Sequence, residues 1–187
     1  MARTVTFSAA CTLDGYIART DFSFDWILHG EESREVLGGY WKTIDTILMG
    51  RKTWEVAVRA GHRGGHAGIE TYVFSRTLPP SEKPGLRVVA DDVVPFVRKL
   101  KRSRGRGIFL MGGGELARPL FEAGLVDEVG LNVHPILLGD GVALFHRMNV
   151  ETALDRIDCR PFRNGCIYVR YAVRGRNPAS ARRRKRG

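Results

Sequence analysis

The chain has 187 residues, 43% of them hydrophobic, with a formal net charge of +10. That length and apolar content suit one ordinary domain with a substantial core and exclude an intrinsically disordered chain. No apolar run reaches the about 20 residues of a membrane-spanning helix, so a membrane partner is excluded at this level too.

Met1-Ala2-Arg3 leads straight into a strand pattern over 3–12, without the basic, apolar and small-residue order of a signal peptide, so a soluble cytoplasmic protein is expected. Asp14-Gly15 makes a turn, Tyr16-Ile17-Ala18 resumes extended chain, and 20–30 reads as loop. Val36, Leu37, Tyr40, Trp41 and Ile44 fall at helical spacing and predict a helix over 31–43, weakened in its middle by Gly38-Gly39. A buried strand over 45–49 precedes a short helix over 53–59 and a Gly/His loop over 61–68. Strands follow at 71–75 and 86–90, a helix at 93–101, a buried strand at 108–111 and a helix at 115–123. A strand over 127–138, bent at His134-Pro135, and strands over 153–160 and 166–173 close the order. Asn164-Gly165 between the last two is the strongest hairpin signal in the chain.

Alternating strands and helices to residue 124, then strands only, predict an α/β fold. Its sheet is parallel at the centre, with an antiparallel C-terminal hairpin at one edge. The domain runs over 1–173. The basic tail over 174–187 carries seven of the positive charges and no acid, leaves the body at +3, and has no large apolar residue to anchor it. Disorder is its default, and phosphate-backbone contact is the one route to nucleic acid. Cys11, Cys159 and Cys166 are an odd set at spacings that match no zinc motif, so neither a disulfide nor a metal site is expected. His62 and His66 lie four apart, but Gly64-Gly65 between them argues for a loop rather than a metal-binding helix.

Two segments carry the chemistry: Met49-Gly50-Arg51-Lys52-Thr53-Trp54 and Met111-Gly112-Gly113-Gly114-Glu115. Each follows an apolar strand and opens a helix. Such a turn aims unsatisfied N–H groups and the positive end of a helix dipole at one spot, which suits phosphate. Two of them in one domain suggest a ligand with paired phosphates, a dinucleotide. Arg51 and Arg76, each just past a strand, supply the fork geometry for a phosphate monoester, which favours NADPH over NADH. Either glycine turn alone is more often a flexible loop; both at strand ends point to a nucleotide site.

The ordered set Thr12-Leu13-Asp14-Gly15-Tyr16-Ile17-Ala18, Asp25-Trp26, Met49 to Glu55, Val73-Phe74-Ser75-Arg76, Leu110 to Leu116, Val126-Asp127-Glu128, Pro135 to Gly141 and Leu144-Phe145 spans 3–173. It resembles the dihydrofolate reductase superfamily, most closely the branch holding the reductase (RibD C-terminal) domain of riboflavin biosynthesis. The resemblance implies a three-layer α/β/α fold and a bound NADPH. Ala9 and Ala10 match the strand that holds the nicotinamide carboxamide, and Ile17 the residue near the ring. Gly50, Arg51, Lys52 and Thr53 match the basic turn over the adenosine side and pyrophosphate; Ser75 and Arg76 match the strand end at the 2′-phosphate. Gly112, Gly113, Gly114, Glu115 and Leu116 match the glycine turn under the pyrophosphate. In relatives the Gly112–Gly113 peptide is often cis, and relatives in this branch are commonly homodimers.

The expected activity is hydride transfer to a small heterocyclic or sugar-like substrate, of the 5-amino-6-(5-phosphoribosylamino)uracil reductase type. Asp14, beside the ring pocket, and Trp26, able to stack on a flat substrate or to cap the core, are the candidate substrate contacts. The catalytic acid is sought in Asp14 or in the first turn of the first helix, at Glu31, with Glu32 and Glu35 as neighbours. The alternative, folate reduction, needs a pterin-holding carboxylate where counting back from Met49-Gly50 puts Arg34. The bifunctional enzymes' deaminase half is missing: His29-Gly30-Glu31 has no P-C-x-x-C to complete the zinc signature.

Overall fold

The computed structural model describes residues 2–61 and 68–175. His62, His66 and the tail from 176 onward, where the sequence predicts a loop and a disordered terminus, lie outside the described residues. Among the described residues ten strands and four helices follow one another: β1 (Val5–Thr12), β2 (Tyr16–Ala18), α1 (Glu31–Trp41), β3 (Ile44–Gly50), α2 (Arg51–Arg59), β4 (Glu70–Phe74), β5 (Leu86–Val89), α3 (Val93–Arg102), β6 (Gly107–Met111), α4 (Gly114–Glu122), β7 (Glu128–His134), β8 (Val142–Ala143), β9 (Leu154–Pro161) and β10 (Ile167–Val173). The main sheet has eight strands in the order β5-β4-β3-β6-β1-β7-β10-β9. Pairing is parallel from β5 through β7 and antiparallel at β7–β10 and β10–β9.

The two-residue period of each strand divides the apolar side chains between two layers. Leu48, Ile108 and Leu110 face one core with Val97 of α3 and Leu120 and Phe121 of α4. Their chain neighbours Ile47, Met49 and Phe109 face the other, under Tyr40 and Trp41 of α1 and Trp54 of α2. Helices on both faces of a parallel sheet are the expected three layers. The two sides are not packed alike: α4 buries four residues, whereas α1 and α2 bury none. The face of the sheet under α1 and α2 is therefore open enough to hold a ligand.

Three expectations need correction. The second helix starts at Arg51 directly after Gly50, not at Thr53. The strand predicted to 138 stops at His134, because Pro135 has no N–H to continue the ladder. The freed segment carries β8, which the sequence did not suggest and which pairs antiparallel with β2. Gly141 makes that pairing feasible: a Cβ there would stand 2.4 Å from the Ala18 carbonyl oxygen.

Candidate functional site

A cavity of about 2090 Å³ opens along the ends of β1, β3, β4 and β6. Ligand pockets usually span roughly 300–1,000 Å³, so this one has room for a dinucleotide and a second molecule. All fourteen residues expected at a cofactor line it: Ala9, Ala10, Ile17, Gly50, Arg51, Lys52, Thr53, Ser75, Arg76 and the run Gly112 to Leu116. Parallel strands bring this about, since each carries its chain to the same edge of the sheet before the helix begins.

Both helix N-termini at this edge are capped by glycine with no side-chain hydrogen bond, Gly50 for α2 and Gly113 for α4. Their first-turn N–H groups are thus left for an anion. Gly112 and Gly113 hold φ of +53° and +60°, a region that side chains other than glycine's rarely enter. No cis peptide bond occurs among the described residues, so the expected cis Gly112–Gly113 bond is corrected. Two successive left-handed glycines turn the chain here, and Gly112 N–H donates to the Ser8 carbonyl oxygen at 3.2 Å. A Cβ at Gly113 would reach Thr53 Oγ1 at 3.2 Å, across the gap between the two helix ends. These residues fit a pyrophosphate: bare backbone donors, no intervening side chain, and cations alongside.

Lys52 ties three walls together. Its Nζ lies 3.3 Å from Glu115 of α4 and 6.0 Å from the Phe22 ring centroid in the loop before α1. Arg51 pairs with Glu55 one turn on, at 2.7 Å. Arg76 is exposed and has no ion pair among the described residues, while Ser75 Oγ accepts from the N–H groups of Thr77 and Leu78 and so fixes the turn that carries it. Arg76 is thus available to an incoming phosphate.

The expected substrate and catalytic residues do not join this cavity. Asp14 is exposed and outside its wall; one carboxylate oxygen accepts from Thr12 Oγ1 at 2.5 Å, the other from the Leu138 and Gly139 N–H groups at 3.0 and 2.8 Å. Those bonds, the Thr12 hydroxyl first, hold its pKa below the ordinary carboxylate value. It clasps two loops rather than waiting for a proton. Glu31 is exposed in the first turn of α1, outside the cavity, where an acid complements the helix dipole. Trp26 is buried, with its ring edge-on to His134 at 5.2 Å; of its two expected roles, it caps the core.

The sequence reading missed Phe22, Phe24, His29, Asn132, His146 and Tyr168, all of which line the cavity. Asn132 carried a signal: it is a lone polar residue between Leu131 and Val133. It stands opposite Ala10 on β1 and Tyr168 on β10. Its amide contacts Nε2 of His134 at 3.1 Å, and His134 is wholly buried. Burial, and His29 nearby, hold that imidazole below the usual histidine range. Glu115 is the one carboxylate among the described lining residues.

Known proteins share this architecture. The putative riboflavin biosynthesis protein from Shewanella sp. PV-4 superposes with a TM-score of 0.78 at 21% identity, covering 93% of this chain and 99% of its own. The pyrimidine reductase-like protein from Corynebacterium diphtheriae gives 0.71 at 15% identity, over 91% and 92%. The diaminohydroxyphosphoribosylaminopyrimidine deaminase/5-amino-6-(5-phosphoribosylamino)uracil reductase from Thermotoga maritima gives 0.69 at 15%, over 92% of this chain but 57% of that one. At the sequence level, the uncharacterized Bacillus subtilis (strain 168) protein YwjB is 30% identical, over 82% of this chain and 89% of its own. YyaP of the same organism is 29% identical, over 92% and 96%. The profile of the RibD C-terminal domain matches residues 3–168, a span that takes in both glycine turns, the cavity they line and the strands on either side of it. The chain therefore belongs to the RibD C-terminal domain family, with the dihydrofolate reductase-like fold that its sequence motifs announce.

Proposed function

We propose that this chain is an NADPH-dependent reductase acting on a small heterocyclic or sugar-like substrate, of the kind reduced in riboflavin synthesis. The observation that carries the reading is the convergence of two uncapped, glycine-started helices and Arg76 on one cavity. Gly50, Gly113 and the N–H groups beyond them would hold the pyrophosphate, Arg76 the 2′-phosphate, and Ala9, Ala10 and Ile17 the nicotinamide end. The bound cofactor supplies the hydride. Phe22, Phe24 and Ile27 of the loop before α1 line the cavity with apolar surface that keeps water out, and the second molecule takes the remaining volume. Among the described lining residues the one carboxylate, Glu115, is engaged with Lys52, so the proton that follows hydride comes from water rather than from a dedicated acid. The same lack disfavours folate reduction. Unpaired Cys11, Cys159 and Cys166 fit a reducing cytoplasm.

The test is titration with NADPH and with NADH, followed by nicotinamide fluorescence, and then oxidation assays against dihydrofolate and 5-amino-6-(5-phosphoribosylamino)uracil. NADPH should bind at least tenfold more tightly, and the chain shortened to residue 173 should bind it equally well. Indifference to both nucleotides sinks the proposal. We also propose a homodimer, because β9 ends the sheet as an edge of eight residues and α1 buries no side chain. Light scattering that returns the monomer mass, 20.9 kDa, removes that part.

A further inference from the structure

Gly130 of β7 stands opposite Ser8 of β1 on one side and Arg170 of β10 on the other. A Cβ at Gly130 would lie 3.4 Å from Ser8 Oγ and 3.7 Å from the Tyr168 hydroxyl oxygen. Tyr168 itself pairs with Asn132, so its ring runs diagonally over β7 to arrive there. The missing side chain leaves room for the phenol to lie on the sheet close to Ser8. Residues that pair directly across a sheet share a face. Ser8 pairs with Met111, which packs in the layer under α1, so the two hydroxyls stand on the side that α1 half-covers.

Both oxygens can be reached by a ligand. Ser8, Ala10 and Tyr168 line the cavity. Neither Ser8 Oγ nor the Tyr168 phenol has a hydrogen-bond partner among the described residues. The unpartnered side-chain atoms shut away from solvent are Trp26 Nε1, Tyr40 OH, Asn132 Oδ1 and Arg170 Nε, and the two hydroxyls are not among them. A hydroxyl that bonds to nothing in the protein adds no hydrogen bond to the fold. Across the cavity α1 contributes the apolar side chains Val36, Leu37 and Trp41. A few polar groups on a largely apolar wall are what orient a small ligand. Burial pushes the Tyr168 phenol pKa up, so at neutral pH the group keeps its proton and acts as a donor.

We infer that Tyr168 and Ser8 are a specificity-determining pair, the Tyr168 hydroxyl donating to a carbonyl oxygen of the bound ring and Ser8 Oγ meeting the polar group beside it, on the strand that carries Ala9 and Ala10. The inference rests on the cavity's being a substrate site, as proposed above. A ring without a carbonyl at this position strips water from both hydroxyls and returns no bond, so it binds more weakly.

The test uses the full chain. Calorimetry compares 5-aminouracil, which has two ring carbonyls, with 5-aminopyrimidine, which has none, with and without saturating NADPH. The wild type should prefer 5-aminouracil by about tenfold or more. Tyr168→Phe and Ser8→Ala should each weaken 5-aminouracil by about three- to tenfold and 5-aminopyrimidine by less than about twofold. Nicotinamide fluorescence should show NADPH affinity unchanged in both variants. Neither hydroxyl gives up a protein partner, so both variants should melt within about 2 °C of the wild type. A Tm lowered by more than about 4 °C in Tyr168→Phe would assign the phenol to the fold and overturn the inference. So would equal affinities in the wild type, no binding of either probe, or 5-aminouracil binding that survives either substitution unchanged. A protein that ignores NADPH but keeps the preference and its dependence on Tyr168 supports the pair while refuting the reductase reading. One that binds NADPH and shows no such dependence overturns the pair alone.

Discussion

Replacing Gly113 by valine separates the fold from the site. The residue sits at φ +60° as the N-cap of α4, and a Cβ there would meet Thr53 Oγ1 at 3.2 Å. A branched side chain held in the left-handed region costs about 1–3 kcal/mol, and the rotatable Thr53 hydroxyl can give way. Against a total stability of about 5–15 kcal/mol the protein remains folded, with Tm lowered by roughly 2–12 °C. Binding suffers far more. The side chain stands between the two helix ends and denies a phosphate about two charge-assisted backbone bonds of roughly 1.5–3 kcal/mol each. That amounts to a loss of about 10²- to 10⁴-fold in affinity. The assay pairs nicotinamide fluorescence titration with thermal melting and circular dichroism. A folded Gly113→Val protein that binds NADPH within threefold of the wild type would refute the assignment of this turn to the pyrophosphate.

Arg76→Ala should weaken NADPH by about 10- to 100-fold and NADH by less than threefold, since the guanidinium has no ion pair among the described residues to release; equal losses for both nucleotides would move the 2′-phosphate elsewhere. Asp14→Asn should lower Tm while leaving kcat within about threefold, whereas a true general acid would cost about a hundredfold or more. Its clasp has a pH signature as well. With the folded pKa lowered, its stabilisation is present above the unfolded carboxylate range and fades as pH falls through the folded value, so acid melts of wild type and Asp14→Asn should converge. For His134 burial lowers the folded pKa of a base. Stability is full above about pH 6.5 and declines below it as the unfolded chain takes up the proton. Urea midpoints measured between pH 5 and 7.5 should show this slope in the wild type and lose part of it in His134→Gln.

What the sequence made legible was local. A strand, a glycine and a helix start lie within six residues at Met49–Trp54 and again at Met111–Leu116, and parallel pairing delivers both to one sheet edge without further information. The substrate side is non-local. Whether Asp14 is an acid or a clasp depends on the Leu138 and Gly139 N–H groups, more than 120 positions away. Whether Trp26 stacks on a ligand or on the core depends on His134. Strand β8 exists because Pro135 ends β7 and Gly141 admits the Ala18 carbonyl, a meeting that no periodicity announces. The helical spacing holds from Val36 to Trp41, while Ile44, counted with it, opens β3, and spacing cannot tell a face that packs from one that half-covers a cavity; none of the residues of α1 is buried.

The same division bears on which ring the site accepts. A pterin or diaminopyrimidine offers adjacent N–H donors and calls for a carboxylate to receive them. The described wall has only Glu115, and that side chain is engaged with Lys52 beside the phosphate cradle. At the ring end the wall carries a neutral amide, fixed by a histidine that burial keeps neutral and therefore unable to ionise in step with the ligand. A site of that kind favours an uncharged ring and gains nothing from a protonated one. Its affinity for such a ring should accordingly stay flat between pH 7.5 and 8.5, where neither Asn132 nor Tyr168, whose pKa burial raises, changes charge. A steep pH dependence of 5-aminouracil binding in that interval would point to an ionising partner and would require a different wall.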